Sequence, residues 1–335
     1  MRIALLFNAR PAEPPPQCPD DVFEEYDSID TVEGIAGALR GLGVEVDPVL
    51  ADRGLPRRLE EGCYDFAFNI AEGPVMPARP ARSCREAIVP AVCELMELPY
   101  TGSDPLTLAV TLDKAMARRA VCGEVRVAEA VLVKDGPVES QIEHLHFPVI
   151  VKPNNEGSSK GIRRDSVAAN VSAAAKCVAR LREHYGCPVL VEEFLVGPEI
   201  TVAIAGNPPR ERVLGMMEIT AADDCGPFVY SLEMKRAWRT QVAYFVPPRL
   251  PRPTLEDVSE QALKAYRLLG CRDIARIDFR LDADGRPCFL ECNPLPGLNR
   301  ESGDIVIMTR ESLGYERLVQ GILQEAARRT GMALA

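Results

Sequence analysis

Two short runs of this chain carry side chains that a hydrophobic core would reject. They are Ala275-Arg276-Ile277-Asp278-Phe279-Arg280-Leu281 and Cys288-Phe289-Leu290-Glu291-Cys292-Asn293-Pro294, joined by a polar turn from Asp282 to Arg286 that contains Asp284-Gly285. Their alternation reads as a β-hairpin, because successive strand residues point to opposite faces and an Asp-Gly pair favours a tight reversal. One face then carries Arg276, Asp278, Glu291 and Asn293. Two carboxylates and an amide converging from adjacent strands suit a hard divalent cation such as Mg2+, which takes oxygen ligands and commonly shares them with phosphates. The arginine beside them would offset anionic charge on a substrate or intermediate. A Mg-nucleotide site is the first expectation, and a solvated hairpin with ordinary ion pairs is the competing one.

A second run, Pro148-Val149-Ile150-Val151-Lys152-Pro153-Asn154-Asn155-Glu156-Gly157-Ser158-Ser159-Lys160-Gly161, is a strand ending in lysine and followed by a Gly/Ser loop. Small residues let backbone N–H groups approach phosphate oxygens, and the lysine can reach the same phosphates as a point charge. Neither the G-x-x-x-x-G-K-[ST] order nor a GxGxxG after the first strand is present. Alone, such a loop is more often only a turn. In a third run, Val191-Glu192-Glu193-Phe194-Leu195 precedes Gly197-Pro198-Glu199. Its backbone could meet an adenine edge, with Phe194 and Leu195 on the ring and Glu199 on the ribose; taken alone it also fits an exposed, acidic strand end.

The elements that would hold these residues follow from periodicity. Strands from Ile3 to Phe7, Val44 to Val49 and Asp65 to Ile70 alternate with helices from Ser28 to Leu42, near Leu55 to Glu61, and from about Ser83 to Glu97, which predicts a doubly wound parallel sheet. The stretch Pro11 to Asp20, with three consecutive prolines, reads as the loop after the first strand. Loops in that position line the ligand crevice of such sheets, so Glu24, Glu25 and Tyr26 would face substrate or a solvated acidic surface. A helix carrying Asp113 and Lys114, strands near Val125 to Val133 and Phe147 to Lys152, and a helix from about Val167 to Tyr185 form a middle unit. Strands near Pro188 to Phe194, Glu199 to Ala205 and Val213 to Ile219 follow, then an irregular segment to about Pro248, a helix from Leu255 to Leu269, the hairpin, and a helix from about Tyr315 to Arg329.

A chain of 335 residues implies two or three domains, and 47% hydrophobic residues imply a folded one. The net charge of -10 argues against a nucleic-acid binder, which would present a basic stripe. No apolar run approaches the roughly 20 residues that span a bilayer. Met1 to Phe7 reads as a strand and not a signal peptide, so a cytoplasmic location is expected. The 11 cysteines are scattered with no C-x-x-C pair and read as reduced, mostly core residues. The three histidines, His144, His146 and His184, argue against a zinc site, with His144 and His146 in a surface loop.

Taken in order, these pieces resemble the ATP-grasp superfamily and, within it, the D-alanine:D-alanine ligases. The matching segments are Leu98-Pro99-Tyr100-Thr101-Gly102-Ser103, Leu112-Asp113-Lys114, Val149 to Gly161, Val189 to Thr201, Glu233-Met234-Lys235, Ala275 to Leu281 and Phe289 to Gly297. They run from about residue 62 onward, and more loosely over the first strand and helix. The resemblance implies an α/β fold: an N-terminal doubly wound parallel-sheet domain (1–98), then a two-lobed ATP-grasp fold of α+β type, with a central lobe (99–187) and a C-terminal lobe (188–335). It implies Lys114 and Lys152 on ATP phosphates beneath the loop Glu156 to Ser159, including Ser158. Glu192 would face the adenine amino group, Glu193, Phe194 and Leu195 would line the hinge, and Glu199 would hold ribose. Asp278, Glu291 and Asn293 resemble the ligands of two Mg2+ ions, with Mn2+ as a substitute. Arg276 resembles the arginine that stabilises the acyl-phosphate and the tetrahedral species after it. Lys235 resembles the mobile-loop lysine that closes on the γ-phosphate, Ser302 the serine that holds the second substrate's carboxylate, and Glu25 the glutamate on the first substrate's ammonium. Small amino acids as substrates and a homodimer through the N-terminal domain are also implied.

The chain departs from that pattern around the amino-acid pocket. The family's His-Gly-x-x-Gly-Glu-Asp-Gly run is replaced by Asn69-Ile70-Ala71-Glu72-Gly73, a proline-rich stretch and Arg82-Ser83-Cys84-Arg85-Glu86. Arg236 and Trp238 stand beside Lys235 where many members have a tyrosine. The expectation is an ADP-forming ligase that joins a carboxylate to an amine, with D-alanine condensation leading, a relative acting on a different amino acid or a carrier-bound acceptor second, and a non-catalytic nucleotide-binding protein as the reading of another class.

Overall fold

The computed structural model describes residues 1–11, 19–74, 84–223 and 228–333. Three sheets organise them. Strands β1 (Arg2–Phe7), β2 (Glu45–Leu50) and β3 (Phe66–Asn69) form a parallel sheet in the order β2-β1-β3. Both faces of β1 are buried, which is why it is apolar without interruption. Ile3, Leu5 and Phe7 pack with helices Ile29–Arg40 and Tyr315–Thr330, whereas Ala4 and Leu6 pack with Leu55, Leu59, Val89 and Cys93 on the other side. The Ser28 hydroxyl accepts from the Thr31 N–H at 3.2 Å and so starts the first helix.

The second sheet is antiparallel, in the order β4 (Ala130–Val133), β7 (Val189–Glu193), β5 (Val149–Pro153), β6 (Val167–Ala168). Val149 and Val151 pack on helix Val171–Tyr185, so alternation turns Ile150 and Lys152 to the opposite face. The third sheet is antiparallel too, in the order β10 (Val242–Phe245), β9 (Arg212–Ala221), β8 (Glu199–Ala205), β11 (Ile274–Leu281), β12 (Pro287–Asn293). Ala275, Ile277, Phe279 and Leu281 join Val258, Ala262 and Tyr266 of helix Arg252–Leu268 in one core. Each fully buried Val, Ile, Leu or Phe among them contributes about 1.5–3 kcal/mol. The odd-numbered residues of β11 thus anchor the strand, and the even-numbered ones, Arg276, Asp278 and Arg280, are left for the other face.

Four local expectations change. Asp113 and Lys114 do not sit inside one helix: Asp113 ends Pro105–Leu112 and caps Lys114–Val121, accepting from the Met116 N–H at 2.9 Å. The strand expected from Val125 is confined to Ala130–Val133, with Val125 in an isolated bridge to Cys122. Val167 and Ala168 pair with β5 as a strand, and the helix starts only at Val171, where Asn170 caps it. The segment expected to be irregular before Pro248 contains helices Leu232–Arg236 and Trp238–Gln241 and strand β10. Residues 12–18, most of the expected proline loop, and residues 75–83 lie outside the described residues, as does the start of the helix expected from Ser83, whose ordered turns are Ile88–Leu95.

One buried carboxylate ties distant parts together. Asp273, fully buried, accepts from the Gly102 N–H at 2.8 Å, from Asn207 Nδ2 at 2.8 Å, and from Arg329 Nε and Nη2 at 3.1 and 2.8 Å. The described cysteines are all free, and His146 is exposed. Among the described residues no helix is long and apolar enough to cross a membrane.

Candidate active site

The face of the second sheet that carries Ile150 and Lys152 looks across a cleft of about 900 Å³, part of it open to solvent, at the part of the third sheet that carries Arg276 and Asp278; the rest of that face, with Ala203, Ala205 and Met217, packs into the core beneath the parallel sheet. Its floor is the β11–β12 hairpin. Arg276 lies opposite Asn293 and Asp278 opposite Glu291, and a bulge after Asp278 then pairs Phe279 with Phe289. A bulge re-aims the side chains beside it; here Leu290 lines the cleft together with Asp278 and Glu291. Thr201 on β8 donates its hydroxyl to Asp278 Oδ1 at 2.8 Å.

The walls carry cations that answer this floor. Lys114 Nζ lies 3.0 Å from Glu291 Oε2 and donates to the Glu156 carbonyl at 2.6 Å. Burial would raise the Glu291 pKa, but Lys114 and Arg276 hold it down at about 2. Lys152 Nζ lies 3.2 Å from Glu192 Oε2, which also accepts from Arg118 Nη1 at 2.9 Å. Lys235 lines the cleft, and burial lowers its pKa against the pull of Asp304. At the far end, Arg280 lies over the Phe194 ring at 4.6 Å and 3.8 Å from Glu199 Oε2. Burial pushes Glu199 up to about 7 despite that arginine.

The cleft therefore gathers Lys114, Lys152, Glu156, Ser158, Ser159, Glu192, Glu193, Phe194, Leu195, Glu199, Lys235, Arg276, Asp278 and Glu291 from the residues expected of a nucleotide site. Three others do not line it. Asn293 holds its place on β12 and accepts from the Leu295 N–H at 3.0 Å. Ser302 is exposed and donates its hydroxyl to Asn299 Oδ1 at 3.1 Å. Glu25 is buried in a cluster beside the loop Glu156 to Ser159, 2.8 Å from Arg85 Nη2 and 2.5 Å from Lys160 Nζ. Burial would raise its pKa, but Arg85 and Lys160 hold it at about 2. Around the same arginine, burial and the neighbouring carboxylates Glu86 and Glu25 push Glu72 well above its ordinary value, and burial pushes Glu86 to about 7. A second cavity of about 500 Å³, lined by Glu25, Asp27, Glu72 and the loop Pro294 to Leu298, adjoins this cluster.

A clasp closes the cleft. Arg236 Nη1 reaches Asp20 Oδ2 at 2.6 Å and its Nη2 reaches Glu24 Oε1 at 2.6 Å. Arg163 meets Asp20 at 2.6 Å and Glu233 at 3.5 Å. Ser159 donates to the Tyr230 carbonyl at 2.8 Å, and the Leu232 N–H to the Ile162 carbonyl at 3.0 Å. Segment 20–25, residues 159–163 and the helix bearing Lys235 are thereby held against one another.

Sequence reasoning missed Asp304, Lys160, Arg85, Arg118 and Arg280 as members of this site. Arg280 shares the two-residue period of Arg276 and Asp278, a signal that could have found it. Lys160 sits within the quoted loop, but only the fold reveals its partners, Glu25 and Glu156. Asp304 is 28 residues from the arginine it meets, and no local pattern announces it.

Two antiparallel sheets enclosing such a cleft, with lysines from one lobe facing carboxylates from the other, define an ATP-grasp protein. The fold agrees with a crystal structure of the D-alanine–D-alanine ligase of Bacillus anthracis complexed with ATP, at a TM-score of 0.73 and 21% identity over 99% of this chain and 98% of that one. The family described as D-ala D-ala ligase C-terminus matches residues 124–324. The D-alanine–D-alanine ligase of Bordetella petrii is 32% identical over 97% of this chain and 92% of its own. An uncharacterised protein of Sinorhizobium fredii is 30% identical over 98% of both. The chain belongs to the D-alanine–D-alanine ligase family.

Proposed function

We propose that this protein is an ATP-dependent, ADP-forming ligase that joins D-alanine to D-alanine through an acyl-phosphate. The observation that carries the reading is a similarity of 32% identity over nearly the full length of a D-alanine–D-alanine ligase, combined with the charged residues gathered in the cleft. A carboxylate is a poor acylating agent. Its attack on the γ-phosphate gives an acyl-phosphate and ADP, after which an amine attacks the carbonyl carbon and phosphate leaves. Catalysis here is positioning and charge neutralisation. Lys114 and Lys152 hold phosphates, the loop Glu156 to Ser159 covers them, Glu192 to Leu195 hold adenine and Glu199 the ribose. Lys235 meets the γ-phosphate, and Arg276 meets the oxyanion that forms at the attacked carbonyl.

The expected donors are all oxygen: Asp278 and Glu291 line the cleft with the cations Lys114 and Arg276 crowding them, and Asn293 stands on β12 opposite Arg276, its Oδ1 also accepting from the Leu295 N–H. This donor set fits Mg2+, two ions by analogy with the family, which would supply Lewis-acid charge neutralisation on the phosphates. The clasp keeps water from the acyl-phosphate. We assign residues 1–98, 99–187 and 188–335 to three domains and expect a cytoplasmic homodimer.

One observation favours a second reading, a ligase for a different amino acid. Glu25, the expected anchor for a substrate ammonium, is already neutralised by Arg85 and Lys160. ADP release with Mg-ATP across D- and L-amino acids, alone and in pairs, with mass spectrometry of products, separates the two. D-Alanyl-D-alanine establishes the first reading, and turnover only with another pair establishes the second. Asp278→Asn and Glu291→Gln should each abolish ADP release with the fold retained; a fully active variant would sink the metal assignment.

A further inference from the structure

We propose that Asp304 is the positioning residue that keeps Arg276 aimed into the cleft once metal is bound; the inference rests on the reading of Arg276 and the hairpin carboxylates given above. Arg276 donates from Nε to Asp278 Oδ1 and Oδ2 at 3.1 Å each and from Nη2 to Asp278 Oδ2 at 2.8 Å, and it lies 3.6 Å from Glu291 Oε1. These are the carboxylates suited to a divalent cation. Oxygens committed to a metal hold a guanidinium less firmly, since the same lone pairs serve both and the two cations repel. An arginine side chain released from its partners regains rotamer freedom and no longer holds one direction.

Asp304 is the carboxylate on Arg276 that lies outside the donor set. Its Oδ2 accepts from Arg276 Nη1 at 2.8 Å, its side chain is 12% exposed, and it lines the cleft. The element behind it is fixed. Asp304 opens the short helix Asp304–Thr309, whose Ile305, Val306 and Met308 are buried in the core beneath the parallel sheet. A Cβ at Gly303 would come within 2.5 Å of the Gly297 carbonyl oxygen, and one at Gly215 within 3.0 Å of the Met308 carbonyl oxygen. The helix is thus seated closely against the loop after β12 at one end and against β9 at the other. A carboxylate on such a support holds Nη1 whatever happens at Nε and Nη2.

The test is a cycle of Asp304→Asn, Arg276→Met and the double variant, each checked for fold by thermal unfolding. Mn2+ binding to the full-length protein with ADP present is followed by electron paramagnetic resonance. In Asp304→Asn the arginine falls back on Asp278 and Glu291 and competes with the metal, so the Mn2+ dissociation constant should rise about tenfold, the lower end of the usual outer-shell effect. Arg276→Met removes the competitor, and the double variant should bind Mn2+ like Arg276→Met. ADP-release kcat should fall at least tenfold in Asp304→Asn with little change in the ATP KM, and Asp304→Glu should recover part of it.

Unchanged Mn2+ affinity in Asp304→Asn, additive effects in the double variant, or no Mn2+ binding by the unaltered protein would overturn the proposal. If Asp304→Asn does not fold, Asp304→Ser takes its place in the cycle. The Mn2+ arm needs no amino acid. Lack of D-alanine-dependent ADP release in the unaltered protein would therefore sink the proposed substrate without deciding the role of Asp304.

Discussion

Charged side chains of the cleft are partly held out of water, and for some of them burial and the opposite charges beside them pull in different directions. Glu199 is the clearest case for measurement. Its pKa near 7 follows from burial, which Arg280 at 3.8 Å only partly offsets. An ionised carboxylate accepts hydrogen bonds from ribose hydroxyls, whereas a protonated one loses acceptor capacity. The group is ionised above pH 7 and protonated below it, so ATP affinity should increase from pH 6 to pH 8, by up to about tenfold if the bound form is fully ionised. Calorimetric titration of ATP at both pH values checks this, with Glu199→Gln expected to bind more weakly and without that pH dependence. A flat profile in the unaltered protein would remove Glu199 from the ribose site.

Among the elements, the β11–β12 hairpin was the most legible in the sequence, because everything that specifies it is local: the polar turn, the two-residue alternation and the apolar partners on the odd positions. The parallel sheet was legible for the same reason. What escaped was made by contacts between elements. Val167-Ala168 has helical neighbours but gains more by pairing with β5, and Asn170 resets the helix start. Ser302 has the expected spacing from Gly297, yet Asn299 takes its hydroxyl. The clasp joins residues from three separated segments, none unusual alone. Of its two arginines, Arg236 is 40% exposed, so its ion pairs with Asp20 and Glu24 should contribute about 1 kcal/mol or less to stability. Their effect belongs to closure: Arg236→Ala should leave the melting temperature nearly unchanged and slow ADP release severalfold. Turnover of the unaltered protein should also fall with rising ionic strength, and that of Arg236→Ala, which keeps the Arg163 pairs, should fall less. Equal salt dependence in both would mean that the ion pairs do not hold the lid.

At the scale of the whole molecule, Asp273 is the point where the separate parts are fastened, receiving groups from Gly102, Asn207 and Arg329. Asp273→Ala leaves Arg329 without its buried partner and removes the acceptor of the Gly102 N–H and of Asn207 Nδ2, a change that should cost about 3–5 kcal/mol. Denaturant unfolding should register it as a lower midpoint, and a loss under 1 kcal/mol would mean that the parts are held by apolar packing alone. That packing has a temporal side. Helix Ile29–Arg40, made early, is covered by helix Tyr315–Thr330, made nearly 300 residues later, with Ile35 and Leu39 in the same core as Leu318 and Ile322. On a ribosome adding about 5–20 residues per second, that apolar stripe waits on the order of 15–60 seconds for its cover. The two lobes of the cleft can meanwhile acquire their own cores. A segment synthesised early is therefore among the last to be completed, and Ile35 and Leu39 stay without their final cover through that interval.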